Sequence, residues 1–264
     1  MNNYLNMFER DGYVVIKNAV PEKECQQLIT STLLPILHKK GIYLTKPTTW
    51  NYKYSRKKEG VLIAGRNSGH IISKYNKNFR FPALYNSHKL NDILNAIHSR
   101  NSKKTCWDYQ YFGNEGLGWI HLRFPCYKHT KELNKCITDN SFHLDGTLTD
   151  SNNNTIINLE QSVIILPFIT TVKKNGGGTA VIPGSHKLIN DYVLRSNYKT
   201  NLDLEDTIDK IVKKNESNII DIDGTQGDIL ILHPHLVHGS SLANVQARTR
   251  ITFNLGTTKI INKL

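Results

Sequence analysis

A chain of 264 residues with 39% hydrophobic content can bury a full core and fits one large domain or two small ones, of which one is the simpler reading. No run comes near the ~18 apolar residues of a membrane-spanning helix, and Glu9, Arg10 and Asp11 interrupt any signal-peptide core, so neither a bilayer span nor a secretory leader is expected and a cytoplasmic setting is. The net charge of +12 invites an anionic partner, but the lysines are scattered in short clusters such as "SRKKEG" and "IVKKNE", and a solvated basic surface is read in preference to a polyanion groove.

In chain order, residues 1–40 read as a short extended entry, with the β-branched content of a strand in "GYVVIKNAV", followed by a helix in "CQQLITSTLLPIL" that begins after Pro21. Residues 41–105 are polar and aromatic, with a second helix at "HKLNDILNAIHSR". From about residue 107 the pattern turns to short strands between turn residues: "WIHLRFP", "SFHLDG", "SVIILPFITTV", "GTAVIPG", "GDILILHPHLVHG" and "ARTRITFNLG". One helix, near "HKLINDYVL", interrupts them. Such recurring strands predict a mainly β protein with flanking helices, a sandwich or jelly roll. The whole chain, 1–264, is expected to be one domain, its helical part about 1–105 and its β core about 107–260. Cys25, Cys106, Cys126 and Cys136 form no C-x-x-C pair, which argues against a disulfide framework and a zinc site.

Within "SFHLDGT", His143 and Asp145 stand two apart, and in a strand such residues point to one face and can serve one ion. A His-x-Asp pair alone is weak evidence; the segment "GDILILHPHLVHGSSLANVQARTRITFNLG" strengthens it. It offers His233, His235 and His238 near a strand end, then Arg248 and Arg250 on a following strand. A hairpin centred on Asn244 would set His238 opposite Arg250 and Ser240 opposite Arg248. Two histidines and a carboxylate on one face of an ion, with other positions open, form the site of non-haem Fe(II) oxygenases. A nearby arginine suits a second carboxylate, because its planar fork binds one bidentately. The combination points to a dicarboxylate cosubstrate held by metal at one end and arginine at the other.

The segments "FERDGYVVIKNAV", "SFHLDG", "NGGGTAVIPGSHK" and "GDILILHPHLVHGSSLANVQARTR" together resemble the phytanoyl-CoA dioxygenase family of Fe(II)/2-oxoglutarate oxygenases, over most of the chain except about 41–105. The resemblance implies a double-stranded β-helix, the cupin-like jelly roll, with His143, Asp145 and His238 as iron ligands. It implies that Ser240 and Arg250 hold the far carboxylate of 2-oxoglutarate, Arg248 being the alternative. Dioxygen would be the other cosubstrate, with succinate and carbon dioxide released as a substrate, expected to be a small molecule, is hydroxylated. Because Asp145 is a carboxylate, no coordination position is vacated for halide, which argues against halogenating relatives.

His233 and His235, flanking Pro234, are the rival ligands, without a metal role in the family motif. Gly176 to Gly178 and the pair Pro183 and Gly184 read as turns, and His186 as a polar residue at a helix start. In "WIHLRFP" the alternation puts Trp119, His121 and Arg123 on one face, which either meets solvent or lines the pocket mouth, where Arg123 and His121 would meet the substrate. Two rival functions remain open: a jelly-roll module binding nucleic acid or another polyanion through the basic, aromatic stretch "WNYKYSRKK" at 50–58, and an oxygenase acting on a protein or nucleic acid.

Overall fold

The computed structural model describes residues 2–39, 41–49, 61–62, 68–72, 81–101, 106–110, 119–125, 142–145, 147–149, 155–157, 161–195, 203–241, 244 and 248–260. The basic stretch at 50–58, Gly146, Cys126 and Cys136 lie outside them. Among the described residues the named strands pair antiparallel.

A helix precedes the extended entry. Residues Asn2–Asp11 form helix α1, which buries Leu5 and Phe8 one turn apart. Gly12 ends it at φ +79°, its N–H donating to Phe8 O at 2.8 Å. Strand β1 (Tyr13–Ile16) follows, then α2 (Glu22–Leu28), a π-helical turn over Ile29–Leu33, and α3 (Leu34–Lys39). The wide turn falls where Pro35, lacking an N–H and crowding the carbonyl four residues back, disfavours a continuous α-helix. Beyond it come β2 (Val61–Leu62), β3 (Ser68–Ile72), α4 (Pro82–Tyr85) and α5 (His88–Asn101), so strands from the first 105 residues enter the sheet.

The remaining elements are β4 (Cys106–Gln110), β5 (Trp119–Arg123), β6 (Thr147–Thr149), β7 (Thr155–Ile157), β8 (Gln161–Pro167), β9 (Thr179–Val181), α6 (Ser185–Arg195), α7 (Asp203–Lys214), β10 (Ile220–Ile222), β11 (Ile229–Leu232), β12 (His238–Ser240) and β13 (Arg250–Ile260). Among the described residues two helices, α6 and α7, interrupt the strands where the sequence pattern marks one. Among the described residues the large sheet runs β1-β11-β8-β13-β5-β3-β2, with β4 also on β13, and a smaller sheet runs β10-β9-β12. The strands β6 and β7 pair with each other.

Strand alternation explains the apolar runs. On β8, Ile164 and Leu166 join a core with Val181 of β9 and Ile222 of β10, while Val163 and Ile165 pack with residues of α1, α2 and α5. On β11, Leu230 and Leu232 turn to the first core and Ile229 and Ile231 to the second. The large sheet is therefore covered on both faces, and "ILIL" reads as continuously apolar because water meets neither side. A third core covers the smaller sheet's side, where Ile189 and Val193 of α6 meet Leu204, Ile208 and Val212 of α7. No helix among the described residues is long and apolar enough to cross a membrane.

Candidate active site

His143 and His238 face each other across an isolated antiparallel bridge. The His143 N–H donates to His238 O at 2.8 Å and the His238 N–H to His143 O at 3.2 Å. His238 starts β12, whose other edge pairs with β9 through Val181. The pair of main-chain bonds therefore hangs the segment 142–145 on the smaller sheet. The two imidazoles lie 4.6 Å apart, ring centre to ring centre.

Asp145, in a bend beyond the bridge, joins them. Its Oδ1 is 3.3 Å from His143 Nε2 and its Oδ2 3.6 Å from His238 Nε2. The ligand atoms of all three lie within 4.8 Å of one another, and no other group of three histidines, cysteines or carboxylates among the described residues meets that condition. His233 and His235 are not in it. His235 Nδ1 lies 2.6 Å from Asn190 Oδ1, and His233 Nδ1 accepts the His235 N–H at 3.0 Å.

The donor chemistry fits a cation. His238 Nδ1 lies 2.9 Å from Leu236 O; a carbonyl only accepts, so Nδ1 carries the hydrogen and a neutral ring presents the Nε2 lone pair to Asp145. Lone pairs on Nε2 and on a carboxylate oxygen repel unless a positive charge lies between them. Neighbouring ligands each about 2.1 Å from one ion stand about 3 Å apart, close to both edges seen here. Side-chain exposure is 55% for His143, 23% for Asp145 and 6% for His238, so the ligand set opens toward solvent on the His143 side.

Arg250 is buried and begins β13. Burial first, and then the charge of Arg123, push its guanidinium down to about 9, against the pull of Asp221. Its Nη1 donates to Thr252 Oγ1, whereas its Nε is buried with no partner. Arg248 is exposed. Ser240 Oγ accepts from Arg123 Nη2.

The hairpin expected around Asn244 does not form. Strand β12 pairs with β9, and β13 pairs with β4, β5 and β8 in the other sheet. The chain crosses between sheets because Asn244 is tied elsewhere: its Nδ2 donates to Arg123 O at 2.9 Å and Arg248 O at 2.8 Å, and its backbone bridges Pro125 and Gly176. Arg250 is consequently the Cα partner of Arg123 on β5 instead of facing His238. His121, on the same face two residues earlier, is half-buried. The turn at Gly177, φ +70°, backs this corner, and a Cβ there would lie 3.2 Å from the Cβ atoms of both Arg123 and Asn244. Thr252 and Leu236 entered no sequence argument; β alternation from Arg250 gives the first, while nothing local marks a carbonyl such as Leu236 O.

A cluster of two imidazoles and a carboxylate, with a buried and a half-buried arginine on the antiparallel strands, is the donor set of a non-haem metal oxygenase of the kind that uses a 2-oxo dicarboxylate. The chain matches phytanoyl-CoA dioxygenase (PhyH) over residues 8–252 and belongs to that family. It is a 2-oxoglutarate-dependent dioxygenase, taking iron(II), 2-oxoglutarate and dioxygen. Among solved structures it is similar in fold to SnoK, a non-haem α-ketoglutarate-dependent carbocyclase from nogalamycin biosynthesis, at 14% identity and TM-score 0.58 over 98% of this chain and 83% of that one. It is likewise similar to HygX from Streptomyces hygroscopicus, solved with nickel and 2-oxoglutarate, at 13% identity and TM-score 0.56 over 99% and 88%; a second HygX structure also contains hygromycin B. EctD from S. alaskensis, with bound Fe, gives 14% identity and TM-score 0.56 over 100% and 78%. No curated protein matches the sequence.

Proposed function

We propose that the protein hydroxylates a small organic molecule, with His143, Asp145 and His238 holding iron(II) and with Arg250 and Ser240 holding the distal carboxylate of 2-oxoglutarate. The observation that carries the reading is the three-donor cluster within 4.8 Å, whose His238 Nε2 is freed for a cation by the Nδ1 bond to Leu236. When bound, the metal and 2-oxoglutarate supply oxidative decarboxylation to succinate and carbon dioxide, coupled to oxidation of the substrate.

The chain's own contribution is orientation and charge. Leu236 O fixes the His238 tautomer, Asp145 supplies one negative charge, and the His143 side stays open to solvent. Arg250, with a buried Nε in want of an acceptor, offers its fork to a carboxylate. His121 shares the Arg123 face of β5 and is assigned to the substrate side. A small molecule as substrate is supported by the hygromycin B bound in HygX. The two sheets sharing an apolar layer are read as a jelly roll within one domain spanning the chain, and the protein as cytoplasmic.

An anaerobic titration of the apo-protein with Fe(II) and then 2-oxoglutarate tests this. A visible metal-to-ligand charge-transfer band is expected in the wild type and not in His143→Ala. A folded, iron-loaded wild type without the band would sink the assignment.

A further inference from the structure

Arg123 and Arg250 are Cα partners on neighbouring antiparallel strands, so their side chains leave the same face of the sheet. Like charges set directly opposite each other repel, and the burial of Arg250 beside a half-buried Arg123 removes much of the water that would screen them. Neither forms an ion pair with a carboxylate among the described residues. Asp221 acts on Arg250 only as a charge at longer range, and its Oδ2 accepts the Asn175 N–H at 2.7 Å. The two guanidiniums have ten N–H groups between them. Their side-chain acceptors are two hydroxyls, Thr252 Oγ1 for Arg250 and Ser240 Oγ for Arg123.

The corner is also built to keep Arg123 in place. Asn244 holds the Arg123 carbonyl, and Gly177 leaves room for its Cβ. Through Ser240, two residues after the proposed ligand His238, the Arg123 guanidinium reaches the group assigned above to the distal carboxylate of the cosubstrate. An anion lodged here meets both arginines and one hydroxyl.

We propose that Arg123 is a second anchor for the distal carboxylate of 2-oxoglutarate, so that this end of the cosubstrate is held by two guanidiniums. Resting on the oxygenase reading, the proposal moves Arg123 from the substrate side, where its place on β5 first put it, to the cosubstrate. A single carboxylate has about four acceptor positions, enough for a bidentate pair with one arginine and further bonds to the other. The same corner gains nothing from a 2-oxo acid whose far end is a methyl group.

That contrast supplies the test. Fe(II)-loaded protein is titrated anaerobically in a calorimeter with 2-oxoglutarate and with 2-oxopentanoate, which keeps the chelating end and lacks the distal carboxylate. Arg123→Gln is expected to weaken 2-oxoglutarate by about tenfold or more, the scale of a lost hydrogen bond to a charged group, and to leave 2-oxopentanoate within about twofold. Unchanged 2-oxoglutarate affinity overturns the proposal and returns Arg123 to a substrate anion. Equal weakening of both ligands overturns it in favour of a structural role. A wild type that binds no 2-oxoglutarate removes the oxygenase reading and the proposal together. Should Arg123→Gln fail to fold, Arg123→Lys is read in the same way, because an ammonium keeps the charge and loses the fork.

Discussion

At the residue scale, burial separates two arginines that the sequence sets two positions apart. Arg250 is buried with a partnerless Nε, and Arg248 is exposed. Arg250→Gln should therefore raise the 2-oxoglutarate concentration needed for half-maximal turnover by about tenfold or more, as the loss of a charge-assisted bond requires. Arg248→Gln should change it by less than about twofold, as expected of an exposed charge; succinate formation against 2-oxoglutarate concentration measures both. Asp228 offers a separate test of stability. It is fully buried and accepts from Lys17 Nζ at 2.9 Å, Asn18 N–H at 2.8 Å, and Thr225 N–H and Oγ1 at 2.9 Å each. Burial raises its carboxyl, but these donors outweigh that and leave it below its ordinary value. A carboxyl depressed in the folded state contributes stability above its unfolded value and loses it as pH falls through the folded one. Asp228→Asn should thus cost about 1–3 kcal/mol at neutral pH and less in acid; urea unfolding at pH 7 and pH 3 would show the gap narrowing, and a constant gap would contradict it.

At the scale of elements, α1 reaches the metal site through one glycine. Gly12 sits at φ +79°, and a Cβ there would lie 2.5 Å from His186 Nδ1 and 2.7 Å from Leu236 Cδ1. Leu236 supplies the carbonyl that orients His238. Gly12→Ala should destabilise by about 2–4 kcal/mol, from left-handed strain plus overpacking, and weaken Fe(II) binding measured by anaerobic titration; a fully stable variant with unchanged iron affinity would disconnect α1 from the site. The sequence hides one helix and displays another. A short polar segment concealed α1, because Leu5 and Phe8 alone mark its buried face. For α7 the signal is present: Leu204, Ile208, Ile211 and Val212 recur at helical spacing, and all four are buried. The strands at 161–167, 229–232 and 250–260 are legible from β-rich apolar runs. Which sheet each joins is not, because pairing depends on contacts far along the chain, as the failed hairpin around Asn244 demonstrates.

For the whole molecule, the residues proposed to hold metal and cosubstrate are spread over distant parts of the chain: His143 and Asp145 before β6, Ser240 on β12 and Arg250 on β13. Iron(II) and 2-oxoglutarate together should join what the apolar layer between the sheets already joins. Saturation at about a hundred times Kd stabilises a fold by about 2.7 kcal/mol, which for a chain of this size is a rise of about 5–10 °C in Tm. Anaerobic thermal unfolding with and without the pair measures it, and Asp145→Ala should lose most of the shift. A shift of equal size in that variant would mean that the pair binds somewhere else. The triad was readable in advance because His-x-Asp and a distant histidine are side-chain signals, whereas Leu236 O and the Arg123–Arg250 register are products of folding.

The two main-chain hydrogen bonds between His143 and His238 have a kinetic side. They fasten together two of the proposed ligands, one exposed and one buried, so moving the segment 142–145 away would strip a bound ion of His143 and Asp145 at once. Opening this latch and releasing metal then become a single event, and a chelator can work no faster than the latch lets go. The amide hydrogens of residues 143 and 238 serve as its clock: with metal bound, their exchange with deuterated solvent should slow to the rate at which the ion departs.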